Sequence, residues 1–271
     1  MRIASYLRLG YYGPMLPAEI DHLPIYEVLD ELTASLAACD QAVLQAPPGA
    51  GKTTVVPLVL LDQPWLEGLK ILMLEPRRMA ARASAARMAQ LLGEKVGDTV
   101  GYRIRMDTAV SNRTRIEVIT EGVLTRQLQR DPSLEGVGLI IFDEFHERNL
   151  DSDLGLALAL QARELFRDGA PLKLLVMSAT LDGERVADLL SGAPLVTSRG
   201  RQFPVDMRYG QALQLRDPIV PRVVHAVLQA LRETSGSILV FLPGQAEINR
   251  VGRDLAPLVG EASAEPVRLS P

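Results

Sequence analysis

Cysteine is almost absent from this chain, because Cys39 is the only one among 271 residues. An internal disulfide is therefore excluded, and the composition fits a reducing compartment, for which we predict the cytoplasm. Aromatic residues make up only 4% of the sequence. No apolar run approaches the roughly 20 residues of a membrane span, so we predict no membrane partner. The net charge is −4, which excludes a molecule that is basic overall.

The charges are nevertheless unevenly distributed along the chain. Residues 76–115 carry nine Arg or Lys and three acidic residues, whereas residues 131–168 carry three basic and nine acidic residues. This segregation suggests a basic surface for a polyanion and an acidic region near a cation. The alternative is that folding mixes the two segments on the same surface.

A glycine-bearing stretch at 46–54 lies between a strand-like apolar segment at 42–45 and a helix-like run at 55–61. This order predicts a phosphate-binding loop rather than a Gly/Pro-rich surface turn. Glycine lets the backbone approach an anion, and the N-terminus of the helix adds partial positive charge. Lys52 would bind the β- and γ-phosphates, and the Thr53 hydroxyl would bind Mg²⁺. The predicted nucleotide-binding residues of this loop are Ala46, Gly49, Ala50, Gly51, Lys52, Thr53 and Thr54.

Strand-like and helical segments alternate through the first two thirds of the chain. Apolar runs at 69–74, 139–142 and 172–177 predict strands, and the segments 79–92, 123–128 and 154–166 predict helices. Shorter strands are predicted at 101–106 and 114–120, joined by a polar turn at 107–113. This alternation predicts an α/β fold with a parallel sheet and right-handed crossovers. Ligands bind at the carboxyl ends of strands in such sheets, and the polar clusters of this sequence fall there.

Two adjacent carboxylates, Asp143 and Glu144, follow the apolar run 139–142. Because side chains alternate along a strand, we expect the two to point in different directions. Asp143 is the predicted Mg²⁺ ligand and Glu144 the predicted general base, with Glu144 also a candidate for the metal site together with Thr53. An Asp-Glu pair after a strand is also a common helix N-cap, so the assignment depends on the phosphate loop upstream.

The segment Asp143-Glu144-Phe145-His146 reads as a DEAH/DExH box. With the other segments, it makes the chain resemble the superfamily 2 DEAH-box helicases, and among them the bacterial HrpB subgroup. The resemblance covers roughly residues 23–271. In one-letter code, the matching segments are LQAPPGAGKTT, LEPRRMAARA, VGYRIR, TEGVLTR, IIFDEFHERNLDSDLGLAL, MSATLDGERVADLL and ILVFLPGQAEI.

The resemblance implies roles for residues that the pattern alone only marks. Residues of motifs Ia and Ib would contact the backbone of single-stranded RNA or DNA, with no base-reading pattern evident; they are Arg77, Arg78, Thr120, Glu121, Gly122 and Arg126. Catalytic His146 would link the nucleotide site to nucleic acid through Ser178 and Thr180. Arg87 and Phe241 would sandwich the adenine. Their ordinary alternatives are a surface helix charge for Arg87 and a core strand residue for Phe241.

The resemblance also implies a division into domains. We predict an N-terminal extension at 1–21, a RecA-like P-loop NTPase domain at 22–198, and part of a second RecA-like domain at 199–271. In that second part, helices are predicted at 219–231 and 246–258, and strands at 238–242 and 267–269. The arginine-bearing motifs V and VI do not occur before Pro271. We therefore expect a fragment that binds Mg-nucleotide but hydrolyses it slowly.

The leading functional prediction is an ATP-dependent helicase or translocase that acts on RNA or DNA. The expected cofactors are Mg²⁺ and ATP, with other nucleoside triphosphates left open. The alternative from another class is a nucleotide-gated nucleic-acid clamp that does not unwind. A P-loop ATPase unrelated to nucleic acid, such as a metabolic kinase, is disfavoured by the basic motifs at 76–78 and 120–126. The sequence leaves open the choice between RNA and DNA, and the oligomeric state.

Overall fold

The structure is a computed structural model that describes residues 20, 22–167, 169, 171–180, 183–200, 204–212, 214, 217–259 and 269. Most of the predicted extension at 1–21 and of the predicted strand at 267–269 lies outside the described residues. The chain divides into two compact units, Met1–Phe203 and Pro204–Pro271. This division falls close to the domain boundary that we predicted after residue 198. Within the described residues, no helix is long and apolar enough to cross a membrane.

The first unit is built on a single eight-stranded sheet. Its strands are β1 (Gln41–Gln45), β2 (Lys70–Leu74), β3 (Val100–Ile104), β4 (Asp107–Ala109), β5 (Ile116–Ile119), β6 (Val137–Phe142), β7 (Lys173–Ser178) and β8 (Leu195–Thr197). They lie in the order β4-β3-β5-β2-β6-β7-β1-β8. Every neighbouring pair is parallel except β3 and β4. The predicted α/β class, with a mostly parallel sheet flanked by helices, is confirmed.

Helices cover both faces of this sheet. They are α1 (Leu29–Ala38), α2 (Lys52–Leu60), α3 (Arg78–Leu91), α4 (Glu121–Arg130), α5 (Leu150–Phe166) and α6 (Gly183–Leu189), with short 3-10 turns at Pro24–Val28, Pro64–Leu66 and Phe145–Glu147. Alternate residues of the central strands belong to opposite cores, since Ile141 packs with α1, α2 and α3, whereas Ile140 and Phe142 pack with α4, α5 and α6. The central strands are apolar throughout because both of their faces are buried.

Two parts of the sheet differ from the prediction. The polar turn expected at 107–113 begins with strand β4, which pairs with β3 to form an antiparallel hairpin. Strand β8 at the other edge was not predicted, nor was the preceding helix α6. Both strands have only three residues and lie at an edge. Apolar patterning is weakest where a strand is short and has a neighbour on one side only.

The second unit contains α7 (Ile219–Glu233) and α8 (Gln245–Leu255), which agree with the predicted helices. They pack through a small core that includes Val224, Val227, Val251 and Leu255. The strand predicted at 238–242 is wrong for this structure, because these residues are not assigned to a strand. Leu239 and Phe241 are 78% and 86% exposed. A strand is stabilised by hydrogen bonds to a neighbouring strand, and the described residues of this unit do not include one.

Candidate nucleotide site

The phosphate-binding loop connects the end of β1 to the start of α2. The Ala46 N–H donates to the Ser178 carbonyl oxygen (3.0 Å), and the Ala50 N–H donates to the Pro47 carbonyl oxygen (3.2 Å). Gly49 and Gly51 have φ values of +75° and +98°, a region that L residues rarely adopt. Gly51 directly precedes α2. The N–H groups at the start of α2 therefore lie at the end of the loop, where an anion binds favourably.

Thr53, Lys52 and Asp143 meet at the carboxyl ends of β1 and β6. The Thr53 hydroxyl donates to Asp143 Oδ2 at 2.6 Å, although the two residues are 90 positions apart. Lys52 is only 4% exposed, and its Nζ lies 3.5 Å from Glu144 Oε1. Asp143 follows β6 directly, and its N–H donates to the Leu74 carbonyl oxygen of β2 (3.0 Å). The sheet therefore brings the two carboxylates to the phosphate loop, as the sequence predicts.

Glu144 and His146 occupy a turn rather than a continuation of β6. Glu144 has φ +50°, a left-handed conformation that is uncommon for a non-glycine residue. His146 Nδ1 lies 3.4 Å from Glu144 Oε2 and accepts a hydrogen bond from the Ala179 N–H (3.3 Å). Ala179 lies between Ser178 and Thr180, and the Thr180 N–H donates to Ser178 Oγ (3.3 Å). His146 thus contacts both Glu144 and the segment 178–180.

Burial of the acidic groups shapes the electrostatics of this site. Asp143 is 2% exposed, and loss of water raises its pKa to about 6, which Glu144 favours and the Thr53 hydroxyl and Lys52 oppose. Among the described residues, no cluster of three or more His, Cys, Asp and Glu is arranged to hold a metal ion by itself. Mg²⁺ is commonly held by one or two carboxylates together with nucleotide phosphates. The pair Thr53 and Asp143 fits that kind of site, because a cation would favour the ionised carboxylate.

Glu75 also belongs to this acidic group, although it was not among the site residues predicted from the sequence. It is buried directly after β2, and its N–H donates to the Ile119 carbonyl oxygen (2.9 Å). Burial, together with the charges of Asp143 and Glu144, raises its pKa to about 7, against the hydrogen bond from the Arg77 N–H and the charge of Arg77. Its position in the sequence could have indicated that Glu75 belongs to the site, since Glu75 follows β2 in the same way that Asp143 follows the adjacent β6.

Replacement of Glu75 by Gln is expected to stabilise the protein at alkaline pH. The pKa of Glu75 lies above its usual value, so the folded protein binds more protons than the unfolded chain between about pH 4.5 and 7. Stability of the wild type therefore falls as the pH rises through this range. Glu75→Gln removes this loss and should increase the free energy of unfolding by roughly 2–3 kcal/mol at pH 8, with little change below pH 4.5.

Urea unfolding at pH 4.5 and pH 8 measures this difference. Glu135→Gln is the matched control, because Glu135 is exposed on the turn before β6. A Glu75→Gln variant no more stable than the wild type at pH 8 would contradict the raised pKa.

The candidate nucleic-acid residues also lie at the carboxyl ends of the strands, around the starts of α3 and α4. Arg77 is exposed and forms an ion pair with Glu147. Arg78 donates from Nη2 to the Arg105 carbonyl oxygen (3.1 Å). Gly122 and Arg126 are exposed on α4, and Thr120 is the residue that precedes α4. The basic side chains of this set are therefore accessible to a polyanion.

Glu121 differs from the rest of that set. It is buried, and its carboxylate accepts hydrogen bonds from Asn149 Nδ2 (2.9 Å) and from the Ser152 hydroxyl. Because both of its oxygens are bound inside the protein, we assign Glu121 to the packing of α4 against α5 and not to the nucleic-acid surface. The sequence offered no signal for this burial, since a charged residue at the start of a helix is usually solvated.

The two predicted adenine contacts lie in different units. Arg87 is on the exposed face of α3, and its Nη1 donates to Gln90 Oε1 (3.0 Å). Phe241 belongs to the second unit, where its ring is exposed. The ordinary alternative for Phe241, a core position in a strand, does not hold. The adenine sandwich itself stays a prediction.

Comparison with known proteins gives consistent matches. A family model described as DEAD/DEAH box helicase matches residues 27–189. The chain is 53% identical over 238 residues to the ATP-dependent RNA helicase HrpB of Escherichia coli (strain K12), an alignment that covers 88% of this chain and 29% of that protein.

Two solved structures of that relative resemble the fold described above. The E. coli DEAH/RHA helicase HrpB superimposes with a TM-score of 0.81 and 53% identity, over 87% of this chain and 30% of that one. The E. coli DExH-box NTPase HrpB gives a TM-score of 0.74 and 53% identity, over 87% and 29%. The chain thus spans less than a third of the length of the relatives that it matches.

Proposed function

Because this chain belongs to the DEAD/DEAH box helicase family, we propose that it binds Mg-ATP and takes part in ATP-driven remodelling of RNA. The observation that carries the proposal is the meeting of Lys52, Thr53, Asp143 and Glu144 at the ends of β1 and β6. A phosphate loop alone indicates nucleotide binding. A carboxylate within 3.5 Å of the loop lysine adds a group that can act on an attacking water.

Each residue of the site has a different role in phosphoryl transfer. Lys52 and the backbone N–H groups of the loop bind the β- and γ-phosphates. Glu144 accepts the proton of the attacking water, and its carboxylate lies beside Lys52 and His146. Thr53 and Asp143 would hold Mg²⁺, which supplies positive charge to the phosphate oxygens when it is bound. Lys52 contacts Glu144 in the structure, so a bound phosphate would compete with this carboxylate for the lysine.

His146 connects this chemistry to the segment 178–180. It contacts Glu144 through Nδ1 and accepts a hydrogen bond from the N–H of Ala179. Since Nδ1 is the acceptor, neutral His146 carries its proton on Nε2. We propose that a shift of Ser178 or Thr180 changes the orientation of His146 and thereby that of Glu144. This is the route by which nucleic-acid binding would alter hydrolysis.

Nucleic acid would bind through its phosphate backbone at Arg77, Arg78 and Arg126. These arginines are exposed on or directly before helices that begin at the carboxyl ends of the strands, where the nucleotide site also lies. Arginine is well suited to phosphate, and backbone contacts carry no direct sequence information. We propose RNA as the substrate because the relative from E. coli is named an RNA helicase. Preferential binding of DNA is the alternative outcome of the test below.

The 271-residue polypeptide by itself is expected to bind Mg-nucleotide and to hydrolyse it slowly, without unwinding. The family arginines of motifs V and VI, which the resemblance places opposite the γ-phosphate, do not occur in these 271 residues. A transition-state arginine accelerates phosphoryl transfer by roughly 10³–10⁵. Rapid turnover stimulated by RNA in the purified polypeptide would contradict this part of the proposal.

Anisotropy of fluorescent single strands tests the nucleic-acid surface. In the presence of a non-hydrolysable ATP analogue and Mg²⁺, we expect labelled oligo(U) to bind more tightly than oligo(dT). The double variant Arg77→Ala, Arg78→Ala should weaken binding of all sequences alike and reduce the slope of log K against log salt by about two.

Arg113→Ala is the matched control, because Arg113 is also an exposed, ion-paired arginine but precedes β5 and so lies at the opposite, amino-terminal end of the strands. Equal binding by the wild type and the double variant would remove Arg77 and Arg78 from the interface. Tighter binding of oligo(dT) would reassign the substrate to DNA.

A further inference from the structure

The phosphate loop is packed on its outer side against the segment 23–25, which precedes α1. The Ile25 N–H donates to the Ala50 carbonyl oxygen of the loop (3.1 Å). Gly51 has no room for a side chain, because a Cβ there would lie 2.9 Å from Leu23 Cδ1 and 3.1 Å from Ile25 Cγ2. The segment therefore contacts the loop at the two residues that lead into α2.

A second segment, 198–200, contacts the start of the loop after the chain leaves β8. The N–H of the buried residue Ser198 donates to the Gln45 carbonyl oxygen (2.9 Å). Gly200 has φ +61°, and a Cβ built on it would lie 2.3 Å from Cγ and 3.1 Å from Cδ of Pro47. This backbone approaches the Pro47 ring so closely that only glycine fits without displacing the loop.

The two segments are also joined to each other, because the Ser198 hydroxyl donates to the Pro24 carbonyl oxygen (3.2 Å). We call the two segments 23–25 and 198–200 together the collar of the loop. They are far apart in sequence and are joined by this one hydrogen bond. Apart from the bond from Ile25 to Ala50, the described backbone hydrogen bonds of the loop are short-range or run to Ser178. The collar adds contacts at Pro47, Ala50 and Gly51, and so at both ends of the turn that faces the phosphates.

We propose that Ser198 and Gly200 are positioning residues for nucleotide binding, which hold the phosphate loop in its anion-binding shape through Pro24 and Pro47. The proposal rests on the proposed function, since it concerns the affinity of the same loop for Mg-nucleotide. A loop that is already ordered loses less conformational entropy when ligand binds, so its affinity is higher. Three residues separate Gly200 from the second unit, which begins at Pro204. A segment near the end of the first unit is therefore in contact with the phosphate loop.

The affinity of the 271-residue protein for a fluorescent ADP analogue with Mg²⁺ tests this role. Gly200→Ala should raise Kd by about fivefold or more, because the methyl group displaces Pro47 and with it the loop. Gly192→Ala is the matched control. Gly192 also has a positive φ (+78°), but a Cβ there meets nothing within 4 Å. The control therefore introduces similar backbone strain without the contact to the loop, and its Kd should stay within about twofold of the wild type.

A double-mutant cycle separates positioning from general destabilisation. Pro47→Ala removes the ring atoms that the new methyl group would meet, so Gly200→Ala should have almost no further effect on Kd in the Pro47→Ala background. Ser198→Ala serves as a second variant should Gly200→Ala fail to fold, and is expected to raise Kd while retaining native circular dichroism.

The outcomes separate the two proposals. An unchanged Kd in both the Gly200→Ala and Ser198→Ala variants would overturn the positioning role, as would equal weakening by Gly192→Ala and Gly200→Ala. Absence of Mg-ADP binding by the wild type would instead overturn the proposed function.

Discussion

Replacement of Glu144 by Gln is expected to slow ATP hydrolysis by about 10²-fold or more while leaving Kd for Mg-ADP within about threefold. Glutamine has the same length and the same backbone preferences as glutamate, so the left-handed turn at residue 144 is retained. It lacks the basic carboxylate that we propose as the acceptor of the proton of the attacking water. General base catalysis typically contributes 10²–10⁴-fold to the rate, which sets the scale of the loss.

Single-turnover hydrolysis with protein in excess over radiolabelled ATP measures this effect even when turnover is slow. Glu147→Gln is the matched control, because Glu147 lies three positions further on and forms an ion pair with Arg77 instead of contacting Lys52. Its hydrolysis rate should stay within about twofold of the wild type in the absence of RNA. A Glu144→Gln variant that hydrolyses ATP at the wild-type rate would show that another group is the base.

Asp143 and Glu144 contact different groups, the Thr53 hydroxyl for Asp143 and both Lys52 and His146 for Glu144. From the sequence, we expected the two side chains to point in different directions because side chains alternate along a strand. In the structure, β6 ends at Phe142. Asp143 keeps one ladder hydrogen bond to Leu74, and Glu144 turns into a left-handed conformation. A turn with a left-handed residue therefore follows the proposed metal ligand at the proposed base, and residue patterns do not reveal this conformation for a non-glycine residue.

The carboxyl ends of the strands could be predicted because they follow from local patterns. Continuous apolar runs located β1, β2, β6 and β7, and the polar residues after three of these runs formed the candidate site. Glu75 satisfied the same rule after β2 but was not selected, whereas the nearby Arg77 and Arg78 were. Its raised pKa depends on burial and on Asp143, 68 positions away in sequence and brought close by the pairing of β2 with β6.

Long-range packing accounts for the features that the sequence did not reveal. Glu121 is buried only because Asn149 and Ser152 face it from the start of α5. Ser198 bonds to Gln45, and Gly200 contacts Pro47 of the phosphate loop, because β8 pairs with β1. In both cases the residue type is ordinary for its local position, a charged residue in a first helical turn and a glycine in a loop. The role comes from a neighbour more than 25 positions away.

Replacement of Lys52 by Ala is expected to weaken binding of Mg-ATP by about 10²-fold, since hydrogen bonds to charged groups contribute roughly 1.5–3 kcal/mol each. Lys52 is almost completely buried, and its ammonium group lies among Glu144, Asp143 and the start of α2. Its loss removes the one full positive charge that the loop offers to phosphate. Lys95→Ala is the matched control, because Lys95 is an exposed lysine on the turn after α3.

The loss of affinity should also depend on pH. The charge of Lys52 lowers the pKa of Asp143, which burial raises to about 6. Without Lys52 that pKa rises further, so at pH 6.5 more of the variant than of the wild type carries a protonated Asp143, which binds Mg²⁺ poorly. At pH 8.5 Asp143 is mostly ionised in both proteins. The ratio of the two Kd values, from titrations with a fluorescent ATP analogue, should therefore be larger at pH 6.5 than at pH 8.5. A ratio that does not change with pH would mean that Lys52 acts on phosphate alone and not through the carboxylate that would hold the metal.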